Sequence, residues 1–344
     1  MNYFFKNKKI LFSLFGIILL LFFSCKKEPI TPEECTPVIP PIPIDTCEFL
    51  SFKIDGALCG LDSASNTFYF SIDEYEMNFS PMIEVENEPT EILINGNSIS
   101  NFAINDLGLV KVNEPISIKF FYCDSLEKEY QLIFTRFPIL QITVNQPILD
   151  NPKVATEFRL NDPDFLQNGM MQREFISIAG IELRGGSAQS FPKKSYAIEL
   201  WEDTLGVTSV DTSFFGLRND DDWILDAMFL DKGRMRNRVS MDLWLDFHEL
   251  PYQSSEPKAI GGTRGEFIEV ILDQEYLGVY VFSDRIDRKQ LKLESFENGD
   301  NFGLLYKASY WENGTVLFNN YFDFDPMSDY WEGWEHKYLS LIHI

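Results

Sequence analysis

The chain has 344 residues, 45% of them hydrophobic, so it is long enough for two ordinary domains and too apolar to remain disordered. Acidic residues outnumber basic ones by 53 to 29, a formal charge of −24, and a field of that sign argues against a nucleic-acid partner. With three His and no HExxH, GxxxxGKS/T or CxxC motif, a His-built metal site and a P-loop are both disfavoured.

The N-terminus has the grammar of an export signal. Lys6, Lys8 and Lys9 precede the apolar run Ile10–Phe23, which falls short of the roughly 17–25 residues needed to span a bilayer. Ser24 directly before Cys25 matches a bacterial lipoprotein cleavage site, so residues 1–24 are expected to be a lipoprotein signal peptide and Cys25 the lipid attachment residue. A lipid on Cys25 places the protein in the bacterial cell envelope, periplasmic or on the cell surface, with the membrane as one partner. Residues 25–46 carry Pro29, Pro32, Pro37, Pro40, Pro41 and Pro43, an extended and semi-rigid tether. Four further cysteines, Cys35, Cys47, Cys59 and Cys123, are read either as the pairs Cys35–Cys47 and Cys59–Cys123 or as free buried thiols.

Residues 47–138 are written in strands. FLSFKI, TFYFSI, PMIEVEN, TEILING, ISIKFFY and KEYQLIFTRF are short, alternating and rich in Phe, Ile and Tyr, which predicts a small antiparallel β-sandwich. The acid-aromatic run FSIDEYEMNFS reads as an edge strand with a solvated face, with a binding surface as the alternative.

From about Leu140 the pattern mixes strand and helix. PILQITVN is a strand, REFISIAGIELRGG a pair of strands entering a Gly-rich turn, and SYAIELWE another strand. A helix is predicted from about Asp231, with Met235, Val239, Leu243 and Phe247 as its apolar stripe and Arg234, Arg236 and Arg238 off it. FIEVILDQEY and LGVYVFSDRI are two strands meeting at a tight turn near Asp273–Glu275. The acids Asp220, Asp221 and Asp222 are read as a loop or helix start, where carboxylates favour the positive end of the dipole, in preference to a metal site.

Three blocks in this half resemble the CotH kinase family, named for the spore-coat protein H. They are IELRGGSAQSFPKKSYAIEL (Ile181–Leu200), DDDWILDAMFLDKGRMRNRVSMDLW (Asp220–Trp244) and EVILDQEYLGVYVFSDRID (Glu269–Asp287), in the family's order and spacing. The resemblance covers roughly residues 139–338. It implies an α+β fold, in which the sandwich is followed by an incomplete atypical protein-kinase-like domain, mainly the N-lobe. It also implies transfer of the γ-phosphoryl group of ATP, with a divalent metal (Mg), to Ser or Thr of an exported protein substrate.

In such a lobe Gly185 and Gly186 would let the backbone approach the phosphates, Arg184 would support a phosphate or else be held by a nearby acid, and a neighbouring Lys would supply a point charge. Lys193 and Lys194 are the two choices. Alternation sends them to opposite faces, Lys194 with Tyr196 and Ile198, Lys193 with Ser195 and Ala197, so only one enters the cleft. Lys194 is the preferred of the two. Asp242 on the predicted helix is available to hold that Lys, although a solvated position is the plainer reading for it. No catalytic residue and no metal ligand is assigned, because the catalytic loop and the Trp-Asp-Phe-Asp type motif of a second lobe have no counterpart. Asp323, Phe324 and Asp325 lack the preceding Trp and are set aside. On this reading residues 339–344, LSLIHI, are a non-native tail, and the chain itself is inactive for want of the catalytic lobe. The alternative is a non-catalytic surface scaffold or adhesin that binds protein or glycan.

Overall fold

Wherever Phe, Ile and Tyr recur at every second position, one face of an extended chain can be buried and the other left wet. The computed structural model describes residues 51–293 apart from 88, 123–125 and 166–171, together with 305–308, 330–331 and 334–338. The signal segment, Cys25, the tether, Cys35, Cys47, Cys123, Asp323–Asp325 and the tail lie outside the described residues. Among the described residues no helix is long and apolar enough to cross a membrane.

The first region is built from β1 (Phe52–Ile54), β2 (Ala57–Leu58), β3 (Gly60–Asp62), β4 (Thr67–Ser71), β5 (Glu76–Asn78) and β6 (Met82–Val85). It continues with β7 (Glu91–Ile94), β8 (Asn97–Ile99), β9 (Ala103–Ile104), β10 (Leu109–Lys111), β11 (Ile116–Tyr122) and β12 (Leu126–Thr135). One sheet has the order β2-β1-β6-β9, the other β3-β4-β12-β11-β7-β8, and β5 pairs with β10. β11 shows the alternation in full, with Ile116, Ile118, Phe120 and Tyr122 buried and the residues between them half-buried. Phe52, Phe68, Phe70, Phe120 and Phe134 fill the core, and Phe52 meets Phe68 edge to face at 5.0 Å, the arrangement the ring quadrupoles favour. The expected all-antiparallel pairing is corrected: β4 and β12 run parallel, and Val112 makes a parallel bridge with Phe134. A parallel pair needs a long crossover, and the strands between Ser71 and Leu126 supply it. Cys59 is a free, buried thiol, and burial foremost pushes its pKa up.

The second region comprises β13 (Ile139–Val144), β14 (Val154–Asn161), β15 (Glu174–Arg184), β16 (Ser195–Trp201), β17 (Asp222–Asp226), α1 (Arg236–Phe247), β18 (Gly265–Leu272), β19 (Glu275–Ser283) and α2 (Arg288–Leu291). Its strands close a barrel in the order β13-β14-β15-β16-β17-β19-β18, sealed by parallel pairing of β13 with β18. Tyr196, Ile198 and Leu200 of β16 point inward beside Phe158, Phe214, Trp223, Tyr280 and Phe282, with Trp223 stacked on Phe282 at 4.9 Å. A small further sheet joins β20 (Leu305–Ala308), β21 (Tyr330–Trp331) and β22 (Trp334–Tyr338).

The described chain is therefore mostly β with few helices, so the α+β expectation fits it only loosely. Where a kinase-like N-lobe is expected, the strands form a closed barrel, with α1 as its one substantial helix among the described residues. The predicted strand pair in REFISIAGIELRGG is the single strand β15.

The helical stripe is corrected too. Met235, Val239, Leu243 and Phe247 are 54%, 47%, 56% and 73% exposed, while Arg238 is buried. The inward face of α1 is Arg238, Met241 and Leu245, at i, i+3 and i+7. It rests on the backbone of the 261–263 segment, to which Arg238 Nη2 donates at Thr263 O (2.6 Å) and Trp244 Nε1 at Gly261 O (3.0 Å). A backbone neighbour asks for donors more than for apolar bulk, and that is why an Arg is buried there.

The two regions are joined by named contacts. Tyr69 stacks on Tyr276 at 4.4 Å and 7°. Thr135 Oγ1 donates to Glu269 Oε1 (3.2 Å), and Gln141 Nε2 donates to Leu58 O (2.9 Å). Burial in this junction, opposed by bonds from Thr135 and Tyr276, pushes the Glu269 carboxyl up to about 7.

Candidate functional site

At the mouth of the barrel, between β16, the end of β17 and the start of α1, lies a cleft of about 320 Å³. Its polar residues are Lys193, Ser195, Asp226, Asp231, Arg236 and Asn237; its apolar ones are Ala188, Phe191, Ala227, Met228, Phe229 and Leu230.

Lys193 is the one Lys in the cleft among the described residues, and the preference for Lys194 is corrected. Alternation does separate the two lysines, but the face shared by Tyr196 and Ile198 is the barrel core, leaving the Ser195 side for the cleft. Lys194 instead turns back and donates from Nζ to Gln189 O (2.6 Å). Lys193 Nζ donates to Val279 O (2.6 Å) and lies 4.0 Å from the centroid of the Tyr280 ring, a cation–π contact. Burial foremost, then the positive charge of Arg234, brings its pKa down to about 8, against the opposing pull of Asp226.

β19 is irregular beside this amine. The register with β18 shifts between Val270 and Ile271, and Gly278 takes a left-handed φ of +77°, a conformation that suits glycine. A Cβ at Gly278 would lie 4.0 Å from Lys193 Nζ.

Of the other expected site residues, Arg184 ends β15 exposed, opposite Ser195 in the β15–β16 register. Gly185 takes φ +95°, and Gly186 leads into the 3-10 turn Ser187–Ser190. That turn borders the cleft through Ala188, and Gln189 Nε2 ties it down by donating to Gly185 O (2.5 Å). Asp242 accepts from buried Arg238 (2.6 Å) and is not a cleft residue.

The cleft's acids are not among the residues expected from sequence. Asp231 accepts from the backbone amides of Arg236, Met235 and Gly233 and from Arg236 Nε (2.7–3.0 Å), which organises the entry of α1. Those bonds, the Arg236 amide foremost, hold its pKa down to about 2. Asp226 accepts from Met228 N (2.9 Å). The signal for both was present in the block DDDWILDAMFLDKGRMRN, where they follow a strand and precede a helix.

Asp220 and Asp221 lie in the loop that leads into β17, as one of the two expectations has it, and Asp222 opens that strand; no helix starts there. Asp211, Asp220 and Asp221 bring carboxylate oxygens within 4.8 Å of one another. Two cations already occupy that space: Lys289 Nζ reaches Asp220 Oδ1 (2.7 Å) and Asp221 Oδ1 (3.0 Å), and Arg218 pairs with Asp220 and, bidentately, with Asp287 (2.7 and 2.8 Å). Desolvation disfavours the charged forms, but hydrogen bonds with Asp220, Ser209 and Lys289 keep Asp221 well below its usual range, and those with Asp220 and Asp221 keep Lys289 well above its own.

The cleft brings together cations and a hydroxyl, groups that phosphate oxygens would need, and ring faces of the kind a base would need. A divalent metal finds the described acids engaged: Asp220 and Asp221 are paired with Arg218 and Lys289, and Asp231 has its oxygens committed to α1.

The arrangement defines a β-barrel with an anion-ready, lysine-bearing cleft at its mouth. Residues 181–342 match the family model described as CotH kinase protein, and the chain carries a domain of that family. The match opens within β15, so β13 and β14 precede it. None of the curated proteins matches the chain.

Proposed function

We propose that this chain is an envelope-facing, lipid-anchored protein of CotH kinase type that binds ATP in the Lys193 cleft and serves transfer of its γ-phosphoryl group to Ser or Thr of exported proteins. The observation that carries the reading is Lys193, whose amine is fixed by Val279 O and the Tyr280 ring inside a cleft of the family-matched domain. A lysine whose proton is held less tightly in the empty cleft holds it more tightly beside phosphate oxygens, so its titration responds to the ligand. Arg236, held by Asp231, adds a second cation. Ser195 Oγ accepts from Ala227 N (3.0 Å), tying the Lys193-bearing entry of β16 to the segment that follows β17. The anchoring part rests on the lipoprotein-type sequence that ends at Cys25.

The test is nucleotide binding followed by phosphate transfer from labelled ATP to envelope proteins. We expect wild type and Lys194→Met to bind ATP, and Lys193→Met to lose at least about tenfold in affinity, the worth of one charge-assisted contact. Equal loss in both variants, or in neither, would remove Lys193 from the role. Mass spectrometry of the mature protein, showing a diacylglyceryl group on Cys25, tests the anchor.

A second reading draws on the sandwich, where Tyr75, Phe102, Ile104 and Leu109 are exposed. Such a surface suits protein or glycan binding and makes this region the place to look for acceptor or surface contacts.

A further inference from the structure

The apolar part of the cleft has a structure of its own. Phe191, which follows the 3-10 turn, and Phe229, which follows β17, stack with ring centroids 5.3 Å apart and planes 24° from parallel. Phe229 is 39% exposed, so part of its ring is open to a ligand. Ala188, Ala227, Met228 and Leu230 surround the pair and bring no side-chain donor or strong acceptor.

Beside the rings, the backbone of Ala227 and of Met228 is committed. Ala227 N–H donates to Ser195 Oγ (3.0 Å), and Ala227 O accepts from Arg234 Nη1 (3.2 Å). Met228 N–H donates to Asp226 Oδ1 (2.9 Å), and Met228 O accepts from Asp231 N (3.1 Å). Reading the edge of a base needs unengaged donors and acceptors, whereas stacking needs only a ring face, which every base provides.

We propose that Phe191 and Phe229 form a nucleobase platform that holds the base of a nucleoside triphosphate by stacking alone, so that the site takes adenine and guanine nucleotides alike. The proposal rests on the reading of the cleft as a nucleotide site and extends it to base selectivity. Lys193 and Arg236 in the same cleft suit the triphosphate, and the rings suit the base.

The experiment measures binding of ATP, GTP and inorganic tripolyphosphate to the full chain by calorimetry. The expected result is ATP and GTP affinities within about threefold of each other, since stacking discriminates little between bases. Phe229→Ala should weaken both nucleotides by about tenfold, in line with the worth of one base–aromatic stack, and leave tripolyphosphate unchanged. Lys193→Met should weaken all three. Phe229→Trp keeps a ring in place, and the emission of the introduced indole, read as the difference from wild type in the same titration, should be quenched when either nucleotide is added.

Three results would each overturn the platform: unchanged ATP binding in Phe229→Ala, indole emission in Phe229→Trp that neither nucleotide quenches, or a preference for ATP over GTP above about a hundredfold, which stacking alone cannot supply. If tripolyphosphate binding still depends on Lys193 in that case, the cleft reading survives without it. If the wild type binds none of the three ligands, the cleft reading falls and the platform with it.

Discussion

Two charged regions of the barrel behave in opposite ways. Around Asp220 the buried charges are paired: Arg218 and Lys289 meet Asp220, Asp221 and Asp287. In the cleft, Lys193 has a carbonyl and a ring for partners, and burial brings its pKa down to about 8. The first region offers three carboxylates in metal-like proximity and yet is structural; the second offers a desolvated cation and is the better functional candidate. Perturbation by burial in a cleft points to a site, whereas perturbation by tight pairing points to a brace.

That contrast breaks if the brace proves dispensable. Asp220→Ala removes a fully buried carboxylate from between two cations, and the loss is expected to be about 3–5 kcal/mol. The urea midpoint measures it. A loss below about 1 kcal/mol, the range of an exposed pair, would show that the cluster does not hold the entry of β17.

Next in size is the pH dependence of Lys193. Its pKa in the fold is about 8, below the 10.5 of an ordinary lysine, so the fold disfavours the protonated form. The unfolded chain binds the proton more tightly between these values. Wild-type stability should therefore rise, relative to Lys193→Met, as pH climbs from about 8 to about 10.5, with the difference level below that window. Parallel stability curves for the two proteins across it would contradict the depressed pKa.

The smallest effect concerns Tyr280, whose buried hydroxyl has no hydrogen-bond partner among the described residues. Tyr280→Phe keeps the ring under Lys193 and removes the orphaned group, so stability should hold or improve by up to about 1 kcal/mol. A loss above about 1 kcal/mol in thermal unfolding would mean that the hydroxyl is engaged.

Much of the architecture was legible because alternation is a local property. The six runs read in the first region correspond to β1, β4, β6, β7, β11 and β12, and those read in the second to β13, β15, β16, α1, β18 and β19. The strands that went unread in the first region, such as β2, β3 and β9, are two or three residues long, too short for a period to show. β15 looked like two strands because Gly180 interrupts it; in the fold that glycine admits the Trp201 ring, whose Cζ2 would stand 2.0 Å from a Cβ there.

The site was legible in its segments and not in its residues. The Pro-Lys-Lys-Ser-Tyr block marked the cleft, but choosing between Lys193 and Lys194 required knowing which face of β16 is core. Likewise the apolar spacing on α1 was real, while its orientation depended on a backbone neighbour more than about fifteen positions away that only the fold brings close. Long-range closure of the barrel, sealed by β13 against β18, leaves no local trace at all.

The most direct test of the central claim is the titration of Lys193 itself, followed by NMR on the dimethylated, ¹³C-labelled chain with Lys193→Arg to assign the resonance. The account predicts a midpoint displaced well below those of the other lysines, which moves upward when ATP or tripolyphosphate is added, as anions favour the charged amine. A midpoint in the ordinary lysine range that ignores both ligands would contradict it.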